Sequence, residues 1–147
     1  MQPKQDQKNT GLFRHTSKFI LIGEDDMDDE DLLKEIFTSI DDSLSLIFVN
    51  NGRKLVVTLE QMKNECLPFL ILLDYNMPEM NGAEILKQMK QNPRYKNIPK
   101  IIWSTSGSET YKKLCINSGA DDYIIKPSSI NELTELIRYM LSLVEPR

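Results

Sequence analysis

A strict alternation of short apolar runs with longer stretches of helical periodicity constrains this fold more than any other feature of the sequence. Five apolar runs occur, and each is three to five residues long. Short runs that are apolar on both faces are typical of parallel strands covered by helices on both sides of a sheet. The predicted strands are Phe19–Gly23, Leu46–Val49, Phe69–Leu73, Lys100–Ser104 and Tyr123–Ile125.

A stripe of apolar residues at helical spacing follows each predicted strand. Residues three and four positions apart share one face of an α-helix, so each stripe predicts a helix that packs on the sheet. Five strand–helix units in alternation predict an α/β fold with a doubly wound, five-stranded parallel sheet and right-handed crossovers. The stripes contain Leu32, Leu33, Ile36, Phe37 and Ile40; Leu55, Val56, Leu59 and Met62; Ile85, Leu86 and Met89; Tyr111, Leu114 and Cys115 (the weakest); and Leu133, Leu136, Ile137, Met140 and Leu141.

The alternation assigns residues 19–147 to one domain and leaves residues 1–18 as a polar tail. A chain of 147 residues fits a single domain. The first 18 residues contain Lys, Gln, Asn and Arg without an apolar centre, so we expect a flexible tail and not a signal peptide. No apolar stretch is long enough to span a membrane, and we expect a cytoplasmic protein without a membrane partner.

Polar residues gather at the carboxyl ends of the predicted strands, where doubly wound sheets bind their ligands. Clustered carboxylates repel one another, so they need protons or a cation nearby. Oxygen ligands without histidine or thiolate favour a hard ion, and partial coordination by water suits Mg²⁺. Such an ion would neutralise an incoming phosphoryl group and allow a carboxylate to form an acyl phosphate. The residues at the strand ends are Glu24, Asp25 and Asp26, then Asp74, then Ser104 and Thr105, and finally Lys126.

Four segments of the sequence resemble, in order and spacing, the receiver domains of two-component response regulators. The segments are ILIGEDD, LLDYNMPEMNG, IIWSTS and DDYIIKP, and the resemblance covers roughly Phe19 to Val144. It implies a flavodoxin-like strand order of 2-1-3-4-5 with helices on both faces of the sheet. It also allows a cis bond between Lys126 and Pro127.

The resemblance implies a role for each matching site residue. Asp74 corresponds to the phosphoacceptor of the family. The metal ligands would be Glu24, Asp25, Asp74 and the backbone carbonyl of Asn76. The phosphoryl-binding and switch residues would be Ser104, Thr105, Lys126 and the aromatic Tyr123, whereas the side chains of Asn76 and Ser106 would tune the phosphoryl lifetime. Glu24 departs from the family pattern, in which aspartate is more common at this position, so its distance to the metal is expected to differ.

The function implied by the resemblance is that of a single-domain response regulator. A histidine kinase or a phosphotransfer protein would donate the phosphoryl group to Asp74, with Mg²⁺ as the cofactor. The protein would then act as a phosphorylation-controlled binding switch for an unknown downstream protein, or as a phosphoryl shuttle. It would assist only its own phosphorylation and dephosphorylation, so it is not expected to be an enzyme. A homodimer is compatible with this function.

Composition excludes several other classes of function. A net charge of −4 and a sequence pI near 5.1 disfavour direct nucleic-acid binding, which needs a basic face. His15 is the single histidine, so a Ser-His-Asp triad or a multi-histidine zinc site is not expected. Cys66 and Cys115 lack metal-ligand spacing and are expected to be reduced thiols.

Three alternative functions compete with the receiver hypothesis. An aspartyl-phosphate hydrolase usually needs a second acid two residues after its nucleophile, and that position is Asn76 here. A flavin- or nucleotide-binding protein needs a Gly-rich or Ser/Thr-rich phosphate loop after the first strand, where this sequence is acidic. A receiver-like scaffold that is never phosphorylated is the third alternative.

The acidic run after the first strand has a structural interpretation as well. Acids in the first turn of a helix interact favourably with the helix dipole. We therefore interpret Asp28, Asp29, Glu30 and Asp31 as helix-start residues without a functional role. Asp26 fits either an N-cap or a neighbour of the metal site.

Overall fold

The fold of the described chain is a five-stranded parallel sheet with helices on both faces. The structure, a computed structural model, describes residues 19–144. The predicted tail and the last three residues of the predicted domain lie outside this range. The strands are β1 (Phe19–Gly23), β2 (Ser45–Val49), β3 (Leu70–Asp74), β4 (Lys100–Ser104) and β5 (Asp122–Ile125). The α-helices are α1 (Met27–Ile40), α2 (Gly52–Gln61), α3 (Gly82–Lys90), α4 (Glu109–Ser118) and α5 (Ile130–Ser142).

The strand order is β2-β1-β3-β4-β5, and every pair of neighbours is parallel. The prediction of a doubly wound sheet in this order is confirmed. The register aligns the carboxyl ends, because Gly23 lies opposite Leu73, and Asp74 lies opposite Trp103. Ser104 in turn lies opposite Ile125. The residues that follow β1, β3, β4 and β5 therefore meet at one edge of the sheet.

Two apolar cores cover the two faces of the sheet. One core joins the sheet to α2, α3 and α4, through residues such as Leu55, Ile85 and Cys115. The other joins the sheet to α1 and α5, through residues such as Phe37 and Ile137. Since β1, β3 and β4 are buried along their whole length, alternate residues of each strand supply the two cores.

Side-chain caps fix where the helices begin. Asp26 is the N-cap of α1, because its side chain accepts a hydrogen bond from the Asp29 N–H. This contact confirms the N-cap interpretation of Asp26, and the Asp26 N–H also donates a hydrogen bond to Glu24 Oε2 at 3.1 Å. Asn81 forms a capping box with Glu84 at the start of α3. The C-cap of α4 is Gly119, whose φ of 122° is a backbone conformation that favours glycine.

Two details of the fold differ from the sequence-based expectations. Strand β2 is half exposed, although its run was predicted to be covered on both faces. It is an edge strand, so it has a neighbouring strand on one side only. The cis bond that the resemblance allows between Lys126 and Pro127 is not present, since no peptide bond within residues 19–144 is cis. No helix in this range is both long and apolar enough to cross a bilayer.

Candidate functional site

The candidate site lies at the edge of the sheet where four strands end. Asp74 and Ser104 are the last residues of β3 and β4. Glu24 directly follows β1, and Lys126 directly follows β5. The structure therefore brings together four side chains that are distant in sequence. Glu24 and Lys126, for example, are 102 residues apart.

Three carboxylates at this edge form a cluster suited to a metal ion. One carboxylate oxygen from each of Glu24, Asp25 and Asp74 lies within 4.8 Å of the other two. Glu24 is fully buried and Asp74 is buried, whereas Asp25 is exposed. The ligand set consists of oxygens alone, with one member open to water, and this chemistry fits a small hard cation that keeps part of its hydration shell.

Lys126 forms ion pairs with three carboxylates in the site. Its Nζ lies 2.9 Å from Asp74 Oδ2, 3.3 Å from Glu24 Oε1 and 2.8 Å from Asp29 Oδ2. The lysine side chain is only 13% exposed. The same ammonium group lies 4.6 Å from the centre of the Trp103 ring, which adds a cation–π contact.

Burial and charge shift the pKa values of this network in a consistent way. Burial raises the pKa of Glu24, and the nearby negative charge of Asp74 raises it further, although Lys126 acts in the opposite direction. Burial also acts to lower the pKa of Lys126, but the hydrogen bonds that its ammonium donates to Asp29 and Asp74, together with the charge of Glu24, outweigh this effect, so the pKa of Lys126 is raised. Glu24 therefore favours its protonated form when no cation other than Lys126 is near, and a bound metal cation would favour the charged form instead.

The loop after β3 orients the Asp74 carboxylate. The Asn76 N–H donates a hydrogen bond to Asp74 Oδ1 at 2.9 Å, and the Asn76 side chain is exposed. The Tyr75 N–H donates to the carbonyl of Trp103 on the neighbouring strand. One carboxylate oxygen of Asp74 is thus held by the backbone, and the other is held by Lys126.

The predicted switch residues lie on the β4 and β5 side of the site. Ser104 is fully buried, and its Oγ accepts a hydrogen bond from the Ser106 N–H at 3.1 Å. The Tyr123 hydroxyl donates to the Ser106 carbonyl at 2.7 Å, and its ring is buried. Thr105 is exposed and forms no side-chain hydrogen bond with residues 19–144. Ser106 therefore links the buried hydroxyl of Ser104 to the aromatic side chain of Tyr123.

Sequence reasoning missed two residues that contact Lys126. Asp29 was interpreted as a helix-start acid, yet it forms the shortest of the three ion pairs of Lys126. Trp103 was not among the predicted site residues, and its ring contacts the same lysine. The signal for Asp29 was weak, because its position in the acidic first turn of α1 does not distinguish it from its neighbours.

Comparison with known proteins identifies the family. The family model described as the response regulator receiver domain matches residues 20–138. The two-component response regulator ORR5 of Oryza sativa subsp. japonica is 29% identical over 134 residues, which is 91% of this chain and 96% of the relative. The response regulator Rcp1 of Synechocystis sp. is 31% identical over 124 residues, which is 82% of this chain and 84% of the relative.

Solved structures agree with this comparison. The phosphorylated cyanobacterial phytochrome response regulator RcpA superposes with a TM-score of 0.76 at 28% identity, covering 85% of this chain and 94% of that protein. The Mn²⁺-bound form of Rcp1 superposes with a TM-score of 0.74 at 30% identity, covering 85% of this chain and 92% of that protein. The phosphoryl group and the manganese ion named here belong to those proteins.

Proposed function

The chain belongs to the response regulator receiver domain family, and from this premise we propose that it accepts a phosphoryl group on Asp74 in a magnesium-dependent reaction. The observation that carries the proposal is the position of Asp74 between two partners. Asp74 Oδ1 accepts the Asn76 N–H at 2.9 Å, and Asp74 Oδ2 lies 2.9 Å from the Lys126 ammonium. A buried carboxylate whose two oxygens are held in this way supports a role for Asp74 as the nucleophile.

The proposed reaction is a transfer from a phosphohistidine donor. A carboxylate oxygen of Asp74 forms a bond to phosphorus while the phosphorus–nitrogen bond of the donor breaks, and the donor imidazole leaves with its electron pair and takes a proton. Mg²⁺ held by Glu24, Asp25, Asp74 and the carbonyl of Asn76 would supply positive charge to the phosphoryl oxygens. Lys126 would bind one of these oxygens, since its ammonium already lies beside the carboxylate.

A conformational response would follow from Ser104. In the proposal, the Ser104 hydroxyl turns toward the phosphoryl group and gives up its hydrogen bond with the Ser106 N–H. Because the Tyr123 hydroxyl is bound to the carbonyl of the same Ser106, movement of this segment would change the position of Tyr123. Thr105 would supply a further contact at the rim of the site, and the exposed Asn76 and the half-buried Ser106 would tune the phosphoryl lifetime. Local charge would thereby bias a two-state surface formed by α4, β5 and α5.

Receiver domains interact with histidine kinases or phosphotransfer proteins of two-component systems. They are phosphoryl acceptors rather than conventional enzymes. We propose a donor of this kind for this chain, a separate downstream protein as its target, and a cytoplasmic location. The proposal includes residues 19–147 as the receiver domain, preceded by residues 1–18 as a separate segment outside the described residues. It includes neither a nucleic-acid partner nor a membrane partner, and it is compatible with a homodimer.

The test is phosphorylation by acetyl phosphate followed by intact mass measurement. We expect one phosphoryl adduct that requires Mg²⁺ and that is absent from an Asp74→Asn variant. An Asp28→Asn variant is the matched control, since Asp28 is an exposed acid near the site that should leave the adduct unchanged. If the wild-type protein forms no adduct and binds no beryllofluoride, the chain is a receiver-like scaffold and the proposal is wrong.

A further inference from the structure

We propose that Asp29 is a positioning residue that keeps Lys126 beside Asp74 while a cation occupies the acidic cluster. This inference rests on the proposed function, because it assigns a role within the same site. Its basis is the geometry of the three ion pairs that Lys126 forms.

The contact between Asp29 and Lys126 is the shortest of the three. Asp29 Oδ2 lies 2.8 Å from Lys126 Nζ, and the Asp29 side chain is 30% exposed, so solvent screens the pair only in part. The backbone around Asp29 is fixed, because its N–H donates to the Asp26 N-cap at 3.0 Å. The first turn of α1 therefore carries this carboxylate toward the residue that follows β5.

The three partners of Lys126 differ in their relation to the metal cluster. Glu24 and Asp74 belong to the group of carboxylates that could hold a metal ion, and Asp29 does not belong to it within the described range. A carboxylate that coordinates a cation has less negative charge to offer an ammonium group, and the two cations repel each other. With Glu24 and Asp74 committed to a cation, Asp29 is the one of these three carboxylates that still balances Lys126.

Retention of Lys126 matters because the lysine must stay within reach of a phosphoryl group on Asp74. The ammonium lies 2.9 Å from Asp74 Oδ2 and against the Trp103 ring, so it is already close to the carboxylate that would carry the phosphoryl group. Without Asp29, repulsion from the bound cation would favour a lysine that points into solvent. Phosphorylation would then become slower even when the metal site is saturated.

The experiment compares Asp29→Ala with two other variants in saturating Mg²⁺. Asp28→Ala removes the neighbouring helix-start charge and is the matched control, because Asp28 forms no ion pair within residues 19–144. Asp29→Glu restores the charge and is the rescue variant. The first measurement is the ¹H–¹⁵N signal of the Lys126 ammonium group, which is observable only while hydrogen bonds slow its exchange with water. The second is the rate of adduct formation from acetyl phosphate.

We expect the ammonium signal of Lys126 to persist with Mg²⁺ in the wild-type protein, in Asp28→Ala and in Asp29→Glu, and to disappear in Asp29→Ala. The phosphorylation rate of Asp29→Ala should fall about tenfold, as expected from the loss of one charge-assisted hydrogen bond. Persistence of the signal and of the rate in Asp29→Ala would overturn the inference, as would an equal loss in Asp28→Ala. A wild-type protein that forms no adduct would instead overturn the proposed function, and the positioning role would fall with it.

Discussion

Substitution of Gly52 by alanine tests how the loop that carries Asn76 is supported. Gly52 is the first residue of α2, and its N–H donates a hydrogen bond to the Pro78 carbonyl at 3.0 Å. A Cβ atom added at Gly52 would lie 2.0 Å from the carbonyl oxygen of Met80 and 2.8 Å from its carbonyl carbon. The obstacle is backbone, so a change of side-chain rotamer does not relieve it.

The size of the effect follows from this distance. A carbon atom approaches a carbonyl oxygen to about 3.3 Å at closest, so the Met80 peptide group would have to move by about 1.3 Å. Overpacking of this kind costs roughly 1–3 kcal/mol, and the better helix propensity of alanine offsets less than about 1 kcal/mol. We expect the free energy of unfolding of Gly52→Ala to fall by about 2 kcal/mol, with a decrease in Tm of about 8 °C. The displaced loop should also weaken Mg²⁺ binding.

Urea unfolding followed by circular dichroism, together with Mg²⁺ titration of the Trp103 fluorescence, measures both effects. Gly107→Ala is the matched control, because its added Cβ would meet only the Ile125 Cδ1 atom at 3.3 Å. The control should change the free energy of unfolding by less than about 0.5 kcal/mol. If the two variants unfold at the same urea concentration, the contact between α2 and the Met80 peptide does not support the loop and the reasoning is wrong.

Two further predictions concern the buried lysine and the thiols. Replacement of Lys126 by methionine leaves buried carboxylates without their cation, so the free energy of unfolding of the metal-free variant should fall by roughly 3 kcal/mol in urea unfolding. Mg²⁺ should reduce this difference in stability between the variant and the wild type. A metal-free variant as stable as the wild type would contradict the prediction. Burial raises the pKa of Cys115 to about 11, so its thiolate appears only above pH values at which an exposed thiol has already ionised. At pH 8, iodoacetamide should alkylate the partly exposed Cys66 in the folded protein and leave Cys115 unmodified until urea is added. Mass spectrometry measures both modifications. Equal alkylation rates of the two thiols in the folded protein would refute the burial argument.

The strands could be predicted from the sequence almost to the residue, because each apolar run is a local signal. The differences lie at the run ends. Ser45 belongs to β2 although it is polar, since it pairs with Phe19, and Asp74 belongs to β3 because it pairs with Trp103. Pairing with a neighbouring strand decides these positions, and the hydropathy of one segment does not contain that information.

The prediction of helix α4 was the weakest of the five helix predictions, because a contact with another part of the fold decides the position of one residue in its apolar stripe. Of its predicted stripe, Cys115 is fully buried, whereas Tyr111 is 40% exposed. The Tyr111 ring instead stacks on Tyr75, at 4.9 Å between ring centres, in the loop that follows β3. An aromatic residue that covers a loop contributes little to a helical stripe, so the periodicity weakens where the helix borders the site.

The acidic start of α1 explains why the site could be predicted only in part. Strand ends are fixed by the topology of the sheet, so Glu24, Asp74 and Lys126 could be assigned to one edge before any distance was known. Asp29 is different, because its direction depends on where the helix begins. The N-cap at Asp26 sets that starting point, and a helix begun one residue later would rotate every following side chain by about 100°. Four acids in the first turns look alike in composition, and the phase set by the cap selects the one that meets Lys126.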